Sequence, residues 1–218
     1  MGKRRALFLV VEGIDGSGKA TQASLLANWL TKEGLKVETF ELPGESPAGG
    51  LIKRCLRGEE PLPSPEEFAL LYASDRFHHL PMLLNALSES DVVIFDRYTA
   101  SNMAYQGARV PPERREAFLK WLKDVEDPLP RPDLIFFLDV EPEAARELVE
   151  KRGWLDRNEE WLDYQKEVHS LYVMLSDGEG WVRVMCTEGG EVLPPERIHI
   201  ILKGILLERF PHLLSRCE

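Results

Sequence analysis

The junction at residues 6–22, Ala6-Leu7-Phe8-Leu9-Val10-Val11-Glu12-Gly13-Ile14-Asp15-Gly16-Ser17-Gly18-Lys19-Ala20-Thr21-Gln22, limits the possible folds more than any other stretch. An apolar run fit for a buried strand enters a turn with three glycines, and a helical pattern follows in which Leu25, Leu26, Trp29 and Leu30 share a face. Strand, glycine turn and helix in that order make a phosphate cradle. Gly13, Gly16 and Gly18 allow a tight turn with inward N–H groups, the helix start adds the positive end of its dipole, and Lys19 adds a mobile charge. The pattern is G-x-x-x-x-G-K-[ST], with Ala20 in the last place. Gly13, Ile14, Asp15, Gly16, Ser17, Gly18, Lys19, Ala20 and Thr21 are therefore the candidates for holding a nucleoside triphosphate. A glycine-rich turn with a solvated lysine is the competing reading, and the flanking strand and helix count against it.

Four more apolar runs read as strands: Val37 to Phe40, Val92 to Phe95, Leu134 to Leu138 and Trp181 to Met185. Helical segments separate them, so the expected fold class is α/β, a parallel five-stranded sheet with helices on both faces. In such a sheet ligands gather beyond the carboxyl ends of the strands. Pro43 to Gly50 and Gly58 to Pro65 read as loops, the second leading into a helix near Pro65. The chain has 218 residues and no repeat, which suits one domain spanning 1–218. Cys55, Cys186 and Cys217 lack paired spacing, so buried thiols in a reducing compartment are expected rather than disulfides or zinc. The apolar runs are too short for a membrane span and the first residues do not resemble a signal peptide, so the expected location is cytoplasmic. A net charge of −10 disfavours nucleic acid and anionic membrane and suits a small nucleotide met by a local basic cluster.

The run Val92 to Phe95 ends in Asp96-Arg97-Tyr98, placing a carboxylate and a guanidinium at a strand's carboxyl end. A structural ion pair is one reading; beside a phosphate loop, a ligand-holding pair is the better one. Arg97 can grip a phosphate with two N–H groups, and Asp96 can hold magnesium directly or through water. Asp15 lies within the phosphate loop and needs a partner that offsets its charge, either a sugar hydroxyl together with Arg97 or nearby backbone in a turn.

With Gly13 to Gln22, Leu70 to Arg76 (LLYASDR) and Asp96 to Gly107 (DRYTASNMAYQG), the chain resembles the thymidylate kinases over nearly its whole length. The resemblance implies a three-layer P-loop kinase fold, usually dimeric. It also implies transfer of the γ-phosphoryl group of ATP to dTMP with Mg2+, giving ADP and dTDP for dTTP synthesis. It makes ATP and dTMP the partners. By position, Arg97 would hold the acceptor phosphate, Asp15 the sugar 3′-hydroxyl, and Tyr105 would pack under the sugar. Tyr72 would stack on thymine while Arg76, Asn102 and Gln106 meet its polar edge, with Ser101 completing the acceptor set. Lys19, Arg97 and Asp96 would be catalytic, and a mobile lid at about 151–164 would bring Arg152 and Arg157 over the phosphates.

Three departures stand out. Ala20 lacks the hydroxyl that commonly joins magnesium's shell, and Thr21 is turned about 100° around the helix from it. Glu41 stands where the family has arginine in Arg-Glu-Pro-Gly-Gly-Thr, so the loop Leu42 to Pro47 receives no role. The segment after Thr187 gives no legible adenine contacts. A deoxynucleoside kinase would share the loop and the Asp-Arg pair, but Tyr105-Gln106-Gly107 argues against it. A regulatory relative without activity finds support only in Ala20.

Overall fold

The computed structural model describes residues 5–151 and 159–214. The elements in chain order are β1 (Leu7–Glu12), α1 (Lys19–Lys32), β2 (Val37–Glu41), α2 (Pro47–Leu56), α3 (Pro65–Glu89), β3 (Val92–Asp96), α4 (Thr99–Gly107) and α5 (Pro112–Glu126). There follow β4 (Leu134–Asp139), α6 (Pro142–Lys151), α7 (Glu159–Leu175), β5 (Trp181–Met185), the short strands β6 (Thr187–Glu188) and β7 (Glu191–Val192), and α8 (Pro195–Arg209). Five strands form a parallel sheet in the order β2-β3-β1-β4-β5, and β6 pairs with β7 antiparallel.

Strand alternation explains the layering. In β1, Leu7, Leu9 and Val11 pack with Leu26 and Leu30 of α1 and with Leu202 and Leu206 of α8. Phe8 and Val10 point the other way, to Leu83, Ala86 and Leu87 of α3. Burial on both faces is why the central strands read as continuous apolar runs rather than alternating ones. No helix among the described residues is long and apolar enough to cross a membrane. Cys55 and Cys186 are buried free thiols.

The expected strands are present, with four extended by one charged residue: β1 ends at Glu12, β2 at Glu41, β3 at Asp96 and β4 at Asp139. The first helix begins earlier than the periodicity indicates, because left-handed Gly18 (φ 85°) lets the chain turn into it at Lys19. The expected loop from Pro43 to Gly50 is shorter than read. Ser46 accepts the Gly49 N–H and Pro47 fits the first helical position, so α2 starts within that stretch. α3 opens with a reciprocal Ser64–Glu67 capping box.

Phe136 in β4 is fully buried, whereas Ile200 on α8 is 68% exposed. Phe136→Ala should lower the unfolding free energy by about 3–5 kcal/mol and Ile200→Ala by less than about 0.5 kcal/mol, as read by urea denaturation.

Candidate active site

Four adjacent strands, β2, β3, β1 and β4, end in the carboxylates Glu41, Asp96, Glu12 and Asp139, so the sheet's carboxyl edge is lined with negative charge. The phosphate loop rises from the centre of this edge. At Gly16 (φ 85°) a Cβ would lie 2.7 Å from the Ala145 carbonyl, so only glycine lets the loop pass this close to α6. Lys19 folds back over the loop, its Nζ donating to the Ile14 carbonyl at 2.6 Å. Burial, reinforced by the nearby Arg97 charge, lowers its pKa to about 7.

Glu12 ends β1 completely buried. Its Oε1 accepts the N–H groups of Tyr98 (2.8 Å) and Ser101 (3.3 Å), and its Oε2 accepts the hydroxyls of Ser101 (2.6 Å) and Tyr172 (2.8 Å). Tyr98 is the N-cap of α4 and offers no side-chain cap, so Glu12 caps that helix from the neighbouring strand. The clamped turn holds Arg97 at φ 68°, a left-handed conformation unfavourable to a side chain of this size.

That conformation aims the guanidinium across the loop. Arg97 Nη2 donates to Asp15 Oδ1 at 2.5 Å and to the Tyr105 hydroxyl at 3.2 Å, while Nη1 reaches the Gly13 carbonyl and Ser101 Oγ, each at 3.3 Å. The Tyr105 ring lies 4.8 Å beneath the guanidinium carbon. Asp15 also accepts from Tyr105 at 2.8 Å and from Gln165 Nε2 at 3.2 Å. Burial alone would raise the Asp15 pKa, but Arg97 and Lys19 outweigh it and hold the carboxyl below its ordinary value.

A cavity of about 390 Å³ opens beside this cluster. Its walls bring together Asp15, Tyr72, Arg76, Asp96, Arg97, Ser101, Asn102, Tyr105 and Gln106, every candidate on the acceptor side, along with Glu41, Leu42 and Pro43. Within it Ser101 supports rather than reaches, since its hydroxyl is bonded to Glu12. Gln106 accepts from Arg109 at 2.8 Å, and Arg76 is bound to buried Glu126. Asp96 Oδ1 is buried without a partner. Ala20 borders a separate groove that Asp96 and Glu41 also line. Arg152 and Arg157 lie outside the described residues. Residues 159–164 of the expected lid form the first turns of α7, and the Tyr164 hydroxyl donates to the Tyr105 carbonyl at 2.8 Å.

Sequence reasoning missed Glu12, Glu126, Gln165 and Tyr172. Glu12 carried a signal, a carboxylate closing an apolar strand at the mouth of a glycine loop. The other three sit among ordinary helical residues and become legible only when the helices are packed.

A parallel sheet whose central strand delivers a glycine loop and a buried lysine, beside a cavity with a fixed arginine, defines an α/β protein of the phosphate-loop nucleotide-binding class. A sequence model of the thymidylate kinase family matches residues 11–192. The chain is 40% identical over 178 residues to a probable thymidylate kinase of Pyrococcus horikoshii, covering 79% of this chain and 84% of that protein. It is also 40% identical over 173 residues to a probable thymidylate kinase of Archaeoglobus fulgidus, covering 78% and 83%. The solved thymidylate kinase of Candida albicans shares the fold, with a TM-score of 0.79 at 23% identity over 95% of this chain and 94% of that one. The chain belongs to the thymidylate kinase family.

The folded-state pKa of Lys19, about 7, lies below its ordinary 10.5. Between those values the unfolded chain binds more protons, so this group makes stability rise with pH through that window. A polyphosphate against Nζ favours the charged form. ATP binding at pH 8 should therefore take up a proton, read by calorimetry in buffers of different ionisation enthalpy, and Lys19→Met should abolish the uptake.

Proposed function

We propose that the chain is a working dTMP kinase in which Arg97 holds the acceptor phosphate at the mouth of the ATP loop. The observation that carries this reading is the Arg97 fork, which contacts the Gly13 carbonyl, Asp15 and Tyr105 at once. It lies on the wall of a cavity that Tyr72, Arg76 and Asn102 also line. Phosphoryl transfer is chiefly alignment and charge stabilisation, and this arrangement sets an acceptor phosphate beside the loop that binds the donor.

In this reading ATP lies on Gly13 to Thr21, with Lys19 exchanging the Ile14 carbonyl for a phosphate oxygen. dTMP enters the cavity phosphate first, its sugar over Tyr105 with the 3′-hydroxyl toward Asp15, and its base against Tyr72. Arg76 Nη1 and Asn102 Oδ1 face the base edge. Arg152 and Arg157 close over the phosphates as part of a lid at about 151–164, in a chain we read as one domain and, by its family, as a homodimer.

Among the described residues no group of three or more His, Cys, Asp or Glu is placed to hold a metal. The unpartnered Oδ1 of Asp96 nevertheless fits Mg2+, which readily combines one carboxylate with phosphate oxygens and waters. Bound there with ATP, the ion would neutralise charge on the phosphates. Ala20 withholds one further oxygen, so Ala20→Ser should lower the magnesium concentration for half-maximal rate severalfold. An unchanged magnesium dependence would remove Ala20 as the cause of any weak metal affinity.

ADP release with ATP, magnesium and each of dTMP, dUMP, UMP, dCMP, dAMP, dGMP or thymidine tests the reading directly. Turnover is expected with dTMP above every other acceptor, and preference for thymidine would overturn it. In Arg97→Ala, kcat/KM for dTMP should fall about 10²–10³-fold while the affinity for ATP changes little.

A further inference from the structure

We infer that Glu126, which touches no substrate, sets the base selectivity of the acceptor cavity by fixing the hydrogen-bonding faces of Arg76 and Asn102. The inference rests on the dTMP-kinase reading and deepens it. Glu126 closes α5 and is 4% exposed. It lies behind the acceptor cavity, bordering instead a separate space of about 590 Å³. Arg76 donates through Nε at 2.7 Å and through Nη2 to the same oxygen, Oε1. That leaves Nη1 as the free donor of an arginine lining the acceptor cavity.

The amide of Asn102 is oriented by its surroundings. Its Nδ2 lies 3.0 Å from the Ala69 carbonyl and 3.3 Å from Glu126 Oε1. Both partners only accept there, so the amide nitrogen must face them. Asn102 Oδ1 is consequently buried without a partner, on a side chain that is 2% exposed and lines the cavity. The cavity thus offers a donor beside an acceptor. A 4-keto pyrimidine answers with O4 and N3–H, whereas cytosine answers with an amino group and a bare ring nitrogen and mismatches at both. A site built around buried polar groups rejects such an analogue because its own groups stay unpaired.

Glu126 maintains this pattern. Without the carboxylate, the Arg76 guanidinium has no counter-charge on its inner side and is free to turn toward the unpartnered Asn102 Oδ1, which lines the same cavity. The donor and acceptor then satisfy each other and cease to read the base. Glu126 is therefore a positioning residue, acting through Arg76.

The test compares kcat and KM for dTMP and dCMP in wild type, Glu126→Gln, Arg76→Met and Arg76→Met/Glu126→Met. In Glu126→Gln, the KM for dTMP should rise about 10- to 100-fold and the dTMP over dCMP preference should fall about tenfold or more, with the KM for ATP unchanged. The double variant should match Arg76→Met in preference, because Glu126 acts only through that arginine. An unchanged dTMP KM and preference in folded Glu126→Gln would overturn the inference, as would a further loss in the double variant. If Glu126→Gln does not fold, the double variant, which leaves neither buried charge unpaired, decides alone: wild-type preference there overturns the inference. A wild-type enzyme that uses no pyrimidine monophosphate would instead overturn the functional reading and this inference with it.

Discussion

Four hydrogen bonds converge on the Glu12 carboxylate, and the geometry of the site hangs from them. They answer three demands: the Tyr98 and Ser101 amides need a cap for α4, the Ser101 hydroxyl needs an acceptor, and the Tyr172 hydroxyl brings in α7. A fully buried carboxylate with fewer partners would be costly, so this charge and its donors hold one another in place. The turn they fix carries Arg97 in its left-handed conformation, and that conformation carries the guanidinium to Asp15. Central strand, cavity and α7, whose first turns fall within the expected lid, are thereby joined through one side chain.

The electrostatic design follows from the carboxylates at the strand ends. Asp139 is bound by His169 and Arg183 at 2.6 and 2.5 Å, and Glu12 is satisfied by neutral donors. Asp15 faces Arg97, while Glu41 stays exposed and Asp96 keeps one oxygen unpaired. Against this background the buried Lys19 sits close to the point of losing its proton. A polyanionic ligand supplies the counter-charge that the lysine lacks, while the surrounding carboxylates oppose an anion that arrives without a cation to offset its charge.

How much of this was legible in the sequence depends on the range of the interaction concerned. The five strands, the phosphate loop and the Asp96–Arg97 corner are local patterns in which apolar periodicity and glycine placement carry the information. Arg97 and Asp15 are legible from that corner and loop, whereas the other acceptor-side candidates rest on a resemblance, and the fold gathers them all into one cavity. Glu126 and Gln165 were not legible, because a carboxylate or amide on an amphipathic helix looks like solvent-facing surface until its partner, 50 or 150 residues away, is known. The start of α2 was missed for a different reason: a Pro-rich stretch reads as loop, although Ser46 followed by Pro47 is also a helix entry.

The strand order also orders events during synthesis. Of the five sheet strands β1 leaves the ribosome first, yet its hydrogen-bonding neighbours are β3 and β4, which begin at Val92 and Leu134. Gln165 and Tyr172, which complete the surroundings of Asp15 and Glu12, emerge later still. Until those segments arrive, an apolar strand waits unpaired and the loop after it has no walls, the situation in which nascent chains aggregate or call on chaperones. The phosphate loop is thus made well before its surroundings are complete, and a truncated product that stops before α7 lacks the Gln165 contact to Asp15 and the Tyr172 contact to Glu12.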